Sequence, residues 1–169
     1  MTIVTRGVFF MSMTKMKSLE WAQLPAVTES AAGTYTEEEV LVPASKVESY
    51  VMAVWEVDFE LPANVDALAD SDIMQCVLCK NPQGDMPDFG STDVIAKVKQ
   101  VFKITTTGAT EYDAIKRIKF ARPYYIAKQK LYFGAKTTGS AAAKTYKGRI
   151  GYTMKKVSKE DFIDALVEG

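Results

Sequence analysis

Residues 50–61 alternate: Val51, Ala53, Trp55, Val57, Phe59 and Leu61 fall two apart, and Glu56, Asp58 and Glu60 fill the later intervening positions. A helix repeats every 3.6 residues, so this pattern predicts a strand with one buried and one wet face. Pro62, which has no backbone donor, ends it. A second alternating stretch sets Tyr146, Gly148, Ile150, Tyr152 and Met154 against Lys147, Arg149 and Lys155. Together the two stretches predict Trp55, Val57, Phe59, Ile150 and Tyr152 as inward-facing sheet residues. Shorter strand signals lie at 34–42, closed by Pro43, and at 73–80, 101–107, 115–121 and 131–135, the fourth of these stopped by Arg122 and Pro123. Turn chemistry fills 81–87, 107–109 and 137–143. Ser91, Thr92 and Asp93 predict the cap of a short helix running to Val98. Ser158 predicts the cap of a C-terminal helix with an apolar stripe of Phe162, Ile163, Leu166 and Val167.

About eight short strands joined by turns describe an all-β, antiparallel sandwich or barrel. The alternating βα units of a nucleotide-binding fold are missing. A chain of 169 residues is one domain's length. Residues 29–169 read as that domain. Residues 1–28 carry four of the eight methionines, together with Phe9, Phe10 and Trp21, and have no clean period. They read as an N-terminal arm ordered against a partner. The apolar run from Val8 to Met11 is too short for a signal peptide or a membrane span.

The chain contains no histidine. That removes Ser-His-Asp and Cys-His catalysis, histidine metal sites and the usual base near neutral pH. Two cysteines are too few for a disulfide framework, as expected of a cytosolic or otherwise unstapled protein.

A net charge of zero conceals a polarity. Residues 29–93 hold 14 acidic side chains against Lys46 and Lys80, a balance of −12. Residues 97–156 hold 15 basic side chains against Glu111 and Asp113, a balance of +13. Either the two halves interleave in the fold and neutralise each other, or the polarity serves a partner: another copy of the chain, or a polyanion.

Local motifs carry little chemistry. Cys76 and Cys79 have CxxC spacing, but a zinc site needs four ligands, and neither a second pair nor a histidine exists. Residues three apart on a strand face opposite ways, so both read as buried structural cysteines. Residues 134–140 outline a phosphate loop without the Lys-Ser/Thr that should follow the second glycine, and read as a strand end and loop. Asp66, Asp70 and Asp72 could hold calcium, but the EF-hand glycine and terminal glutamate are missing, so a solvated acidic loop is the better reading. Trp55, Tyr124 and Tyr125 are candidate stacking residues, Trp55 better read as core. The basic half could contact nucleic acid only non-specifically, since no recognition helix gathers its lysines. No catalytic residue, cofactor or metal site is assigned, and an enzyme is the least favoured class.

The stretches KLYFGAKTTG from Lys130, RIGYTM from Arg149 and VSKEDFIDALVE from Val157, with the short strands before them and the N-terminal arm, resemble small single jelly-roll capsid proteins. Tailless icosahedral viruses of archaea and bacteria encode these. The resemblance spans residues 34–167 and implies two facing four-stranded sheets in an eight-stranded jelly roll. It also implies a structural rather than enzymatic role, self-assembly into capsomers of a virion, other capsid proteins as partners, and loose contact with packaged nucleic acid. The rivals are a ligand-binding sandwich of the lectin type and a phage decoration or tail accessory protein.

Overall fold

The computed structural model describes residues 18–42, 50–62, 68–104, 110–111 and 113–168. Eleven strands and one helix occur among them: β1 (Glu20–Gln23), β2 (Val27–Thr28), β3 (Thr36–Leu41), β4 (Tyr50–Glu60), β5 (Ile73–Cys79), β6 (Val94–Val101), β7 (Lys103–Ile104), β8 (Thr110–Glu111), β9 (Ile115–Ile126), β10 (Lys130–Thr138), β11 (Thr145–Lys156) and α1 (Lys159–Glu168). One sheet runs β1-β11-β4-β9, with β2 also pairing to β11, and a second runs β3-β10-β5-β6. The short β7 and β8 pair only with each other. Every pairing is antiparallel.

The two sheets close on one core. Val57 and Phe59 of β4, Tyr146 and Ile150 of β11, Met74, Cys76 and Leu78 of β5, and Leu131 and Phe133 of β10 are all fully buried in it. Phe59 from one sheet stacks on Phe133 from the other, ring centroids 5.9 Å apart and planes 18° from parallel. That is an all-β antiparallel sandwich. A buried polar link fastens one side of it. The carboxylate of Glu29 accepts from the Thr137 and Lys144 backbone N–H groups at 2.6 and 2.8 Å and from the Thr137 hydroxyl at 3.0 Å, and the Thr137 hydroxyl also bonds the Tyr146 hydroxyl.

Several expectations need correction. Val57, Phe59, Ile150 and Tyr152 point into the core, but Trp55 does not: it is 37% exposed and donates Nε1–H to the Thr153 hydroxyl at 3.2 Å. Trp55 is a bulge. On β11, Gly151 pairs with Glu56 and the next residue, Tyr152, with Val54, so Trp55 is the extra residue of β4 and has no partner there. The bulge shifts the alternation by one residue, and the core takes Met52 and Val54 before it and Val57 and Phe59 after it. The helix expected after Asp93 is strand β6, whose Val94 and Val98 pair with β5. Ser91 closes a turn instead, its carbonyl accepting from Val94 N at 3.2 Å, and Asp93 Oδ1 accepts from Asn81 Nδ2 at 2.7 Å. Strand β9 does not stop at Arg122: it continues through Pro123, which an edge strand tolerates because the missing donor needs no partner there.

Among the described residues the strands number eleven where about eight were expected, because β1 and β2 share the edge beside β11 and β7 and β8 form a separate ribbon. Of the residues read as an arm, Glu20–Gln23 and Val27–Thr28 pair with β11, and 1–17 lie outside the described residues. At the other end, Ser158 caps α1 through its hydroxyl and the Asp161 N–H, 3.1 Å apart. Ile163 of the expected stripe is 48% exposed, and the side chains of Leu166 and Val167 lie outside the described ones. No helix among the described residues is long and apolar enough to cross a membrane.

Replacing Phe59 with Ala removes a fully buried ring and its stacking partner's contact, and costs about 3–5 kcal/mol. Replacing Trp55 with Ala costs less, about 1–2 kcal/mol, because its ring is only partly withdrawn from water and leaves no cavity in the core. Urea unfolding of the two variants checks both figures. Equal losses would contradict the placement of the bulge.

Candidate functional site

Because Val57 and Phe59 face the core, Glu56, Asp58 and Glu60 face outward from the same strand. Strand register then sets Asp58 opposite Arg149 on β11 and Arg117 on β9. Arg117 donates Nε–H to Asp58 Oδ1 at 2.7 Å and Nη2–H to Oδ2 at 2.9 Å. Arg149 donates Nε–H and Nη2–H to Oδ2 at 2.9 and 2.8 Å. Glu56 joins more loosely, 3.8 Å from both Arg117 and Lys119. Trp21 of β1 lies under the Arg149 guanidinium, 4.2 Å from carbon to ring centroid. Gly151 makes that approach possible: a Cβ there would stand 2.9 Å from Glu56 Cγ and 3.2 Å from the Trp21 ring. Gln23, Asp58, Glu60, Ile115, Gly148 and Arg149 line a depression of about 230 Å³ beside the cluster.

Hydrogen bonds from Arg117, and then from Arg149, hold the Asp58 carboxyl below the usual carboxylate range, against the opposing effect of its burial. Both of its oxygens are engaged, so this carboxylate neither attacks a substrate nor accepts a proton near neutral pH. Its role is to lock two basic strands onto an acidic one. Asp58→Asn leaves two guanidiniums without their counter-charge. The expected loss is about 2 kcal/mol at neutral pH, less than for a fully buried pair because both arginines are partly exposed. The folded-state pKa is depressed, so this stability is complete above the ordinary value of 3.8 and disappears as pH falls through the folded-state value. Melting curves from pH 7 down to pH 2 should show parent and Asp58→Asn converging. A constant gap across that range would contradict the assignment.

The outer face of the other sheet is covered. Val77 and Cys79 point away from the core yet are fully buried, because the loop spanning 80–93 folds back over them. Each of three strands holds it. Glu37 of β3 accepts from the Gln83 and Gly84 backbone N–H groups at 3.1 and 3.4 Å, Lys136 of β10 reaches Asp85 at 3.2 Å, and Lys97 of β6 bonds the Pro87 carbonyl and sits over the Phe89 ring. Tyr35 packs flat on Gly134, where any Cβ would clash with the ring at 2.2–2.7 Å, and donates to Glu37 at 3.0 Å. Burial, with Glu37 and Asp93 nearby, pushes the Cys79 thiol up to about 12. Glu37→Gln weakens the strap and removes one of those charges. Maleimide labelling of Cys79, located by tandem mass spectrometry, should accelerate by about tenfold. An unchanged rate would show that Glu37 does not hold the loop down.

The candidates named from the sequence do not converge. Cys76 lies in the core and Cys79 on the opposite face of β5, both free and buried. Residues 134–138 belong to β10, and Gly139, at φ +98°, makes the turn beyond it. Asp66 lies outside the described residues. Asp70 and Asp72 spend their carboxylates on backbone donors, Ile104 N at 3.0 Å and Ala69 N at 2.7 Å. Tyr124 packs against the core, whereas Tyr125 is 40% exposed, with the Lys155 ammonium 4.6 Å from its ring centroid. The Asp58 cluster went unnoticed because its partners are 59 and 91 residues away. Its only local signal was the acidic wet face of the alternating strand. No known protein family matches the chain, and no curated protein is similar to it.

Proposed function

We propose that this chain is a structural subunit of a virus shell, a single jelly-roll capsid protein whose copies associate into capsomers. Strand order carries the reading. With β1 and β2 taken as one interrupted strand and the β7-β8 ribbon set aside, eight strands remain. Numbered in chain order, they run 1-8-3-6 in one sheet and 2-7-4-5 in the other. Two Greek keys wound together in this way make a jelly roll, an architecture used by viral capsid domains and by lectins. The resemblance of residues 34–167 to small capsid proteins favours the first, and so does a polar cluster whose carboxylate is already engaged by arginine. Partners on this reading are copies of the chain, other shell proteins and, through non-specific contact of basic side chains, the packaged nucleic acid; the place is the virion.

A second reading rests on one observation. Trp21, Trp55 and Tyr125 are each 37–40% exposed along the sheet that carries Asp58, and exposed aromatics are how a lectin-type sandwich grips sugar rings. Light scattering and electron microscopy of the purified protein separate the two. A shell subunit forms rings or closed particles, and a variant lacking residues 1–17, which keeps every described strand, stays folded but assembles poorly. A strict monomer at all salt concentrations, or retention on a glycan column, would contradict the shell reading.

A further inference from the structure

The sheet order leaves the sandwich with two lateral sides of opposite charge. The edge strands β1, β2 and β3 lie along one side, where β2 approaches β3, and β6 and β9 lie along the other, where they approach each other. On the first side β1 and β3 carry Glu20, Glu37, Glu38 and Glu39 and no basic residue. On the second, β6 and β9 carry Lys97, Lys99, Lys116, Arg117, Lys119 and Arg122 and no acidic residue. Part of this charge is used internally, as in Arg117 with Asp58 and Lys130 with Glu39. Glu38, Lys99 and Arg122 form no ion pair among the described residues. Exposed apolar side chains flank both sides: Leu41 at 74% beside the glutamates, Ile115 at 59% and Val101 at 37% beside the cations.

We infer that the acidic β1-β3 side of one copy docks on the basic β6-β9 side of the next, an inference that rests on the shell-subunit reading above. The occupant follows from complementarity: neither side can meet itself without setting like charges together. The contact is therefore heterologous, the kind that builds a ring when the rotation between neighbours closes, as the shell-subunit reading requires. Exposed charge pairs contribute little each, so Leu41, Ile115 and Val101 supply the adhesion and the charges choose the orientation. Extension of one sheet into the next is disfavoured. Glu38 pairs with Phe133 and so lies on the core-facing side of edge strand β3, and Pro123 removes a backbone donor from edge strand β9, two devices that keep edges from continuing. Side chains, not backbone ladders, make the joint.

The test is a charge-reversal mixing experiment followed by light scattering, with melting curves to confirm folding. Glu38→Lys alone and the pair Lys99→Glu with Arg122→Glu alone should each weaken association by about tenfold or more. Mixed in equal amounts, the two variants should assemble like the parent, because each altered side then meets its altered complement. Should a variant fail to fold, the parent's own association must weaken with added salt, which screens beyond roughly 8 Å at physiological strength. Variants that assemble like the parent would overturn the contact and leave the shell reading standing. Parental assembly combined with lost oligonucleotide binding would assign the basic side to nucleic acid and overturn it too. A parent that stays strictly monomeric would remove the shell reading itself, and the contact with it.

Discussion

Strand β4 is held between β9 and β11, and on its outer face this is an acidic strand held between two basic ones. The order of the sheet follows from it. Asp58 reaches Arg117 on one side and Arg149 on the other, and on the opposite face of the same strand Val57 and Phe59 enter the core. Opposite charges set directly across from each other favour one register, and a slip by one residue would drive Glu56 and Asp58 into the apolar interior. Among the described residues every ion pair except Lys116–Asp113 joins the acidic stretch of the chain to the basic one. The charge polarity is thus partly a pairing code. The halves interleave, and much of the polarity is neutralised within one molecule.

Part of what remains after that neutralisation lies on the lateral edges, acidic on one side and basic on the other. One face carries the arginine-clamped carboxylate with Trp21 and Trp55 beside it. The other is sealed by the strap over Val77 and Cys79, which explains how β5 can be apolar on both sides. One face is covered and the other carries the internal pairs around Asp58, and the lateral sides hold charge of opposite sign. On the proposed shell-subunit reading, those sides are where neighbours in a ring would approach.

The sequence made some of this legible and not the rest, for physical reasons. The alternation of β4 and β11, the stop at Pro62 and the Ser158 cap are local, so they could be read directly. Trp55 could not be placed, because its bulge is set by pairing with β11, whose Gly151 and Tyr152 lie more than 90 positions away. Strand β6 looked like a capped helix because Ser91 and Asp93 are good caps. Pairing with β5 decided the matter, and Asp93 binds Asn81 instead. The turn residues of the strap were visible, but where it docks depends on Glu37, Lys97 and Lys136 from three strands. A linear sequence leaves open whether its charge pattern is interleaved or divided in the fold. The topology does both, pairing the interior strands and leaving the edges opposite.

A double-mutant cycle on Asp58 and Arg149 tests the central claim most directly, because it isolates the interaction between the acidic centre strand and a basic neighbour from the cost of each substitution. Unfolding free energies of the parent, Asp58→Asn, Arg149→Gln and the double variant would be measured at neutral pH and low salt. The account predicts a favourable coupling of about 1–2 kcal/mol, in keeping with charges close together and half withdrawn from water. Strictly additive losses would contradict it: the cluster would then be a surface ornament, and the strand order would need another cause.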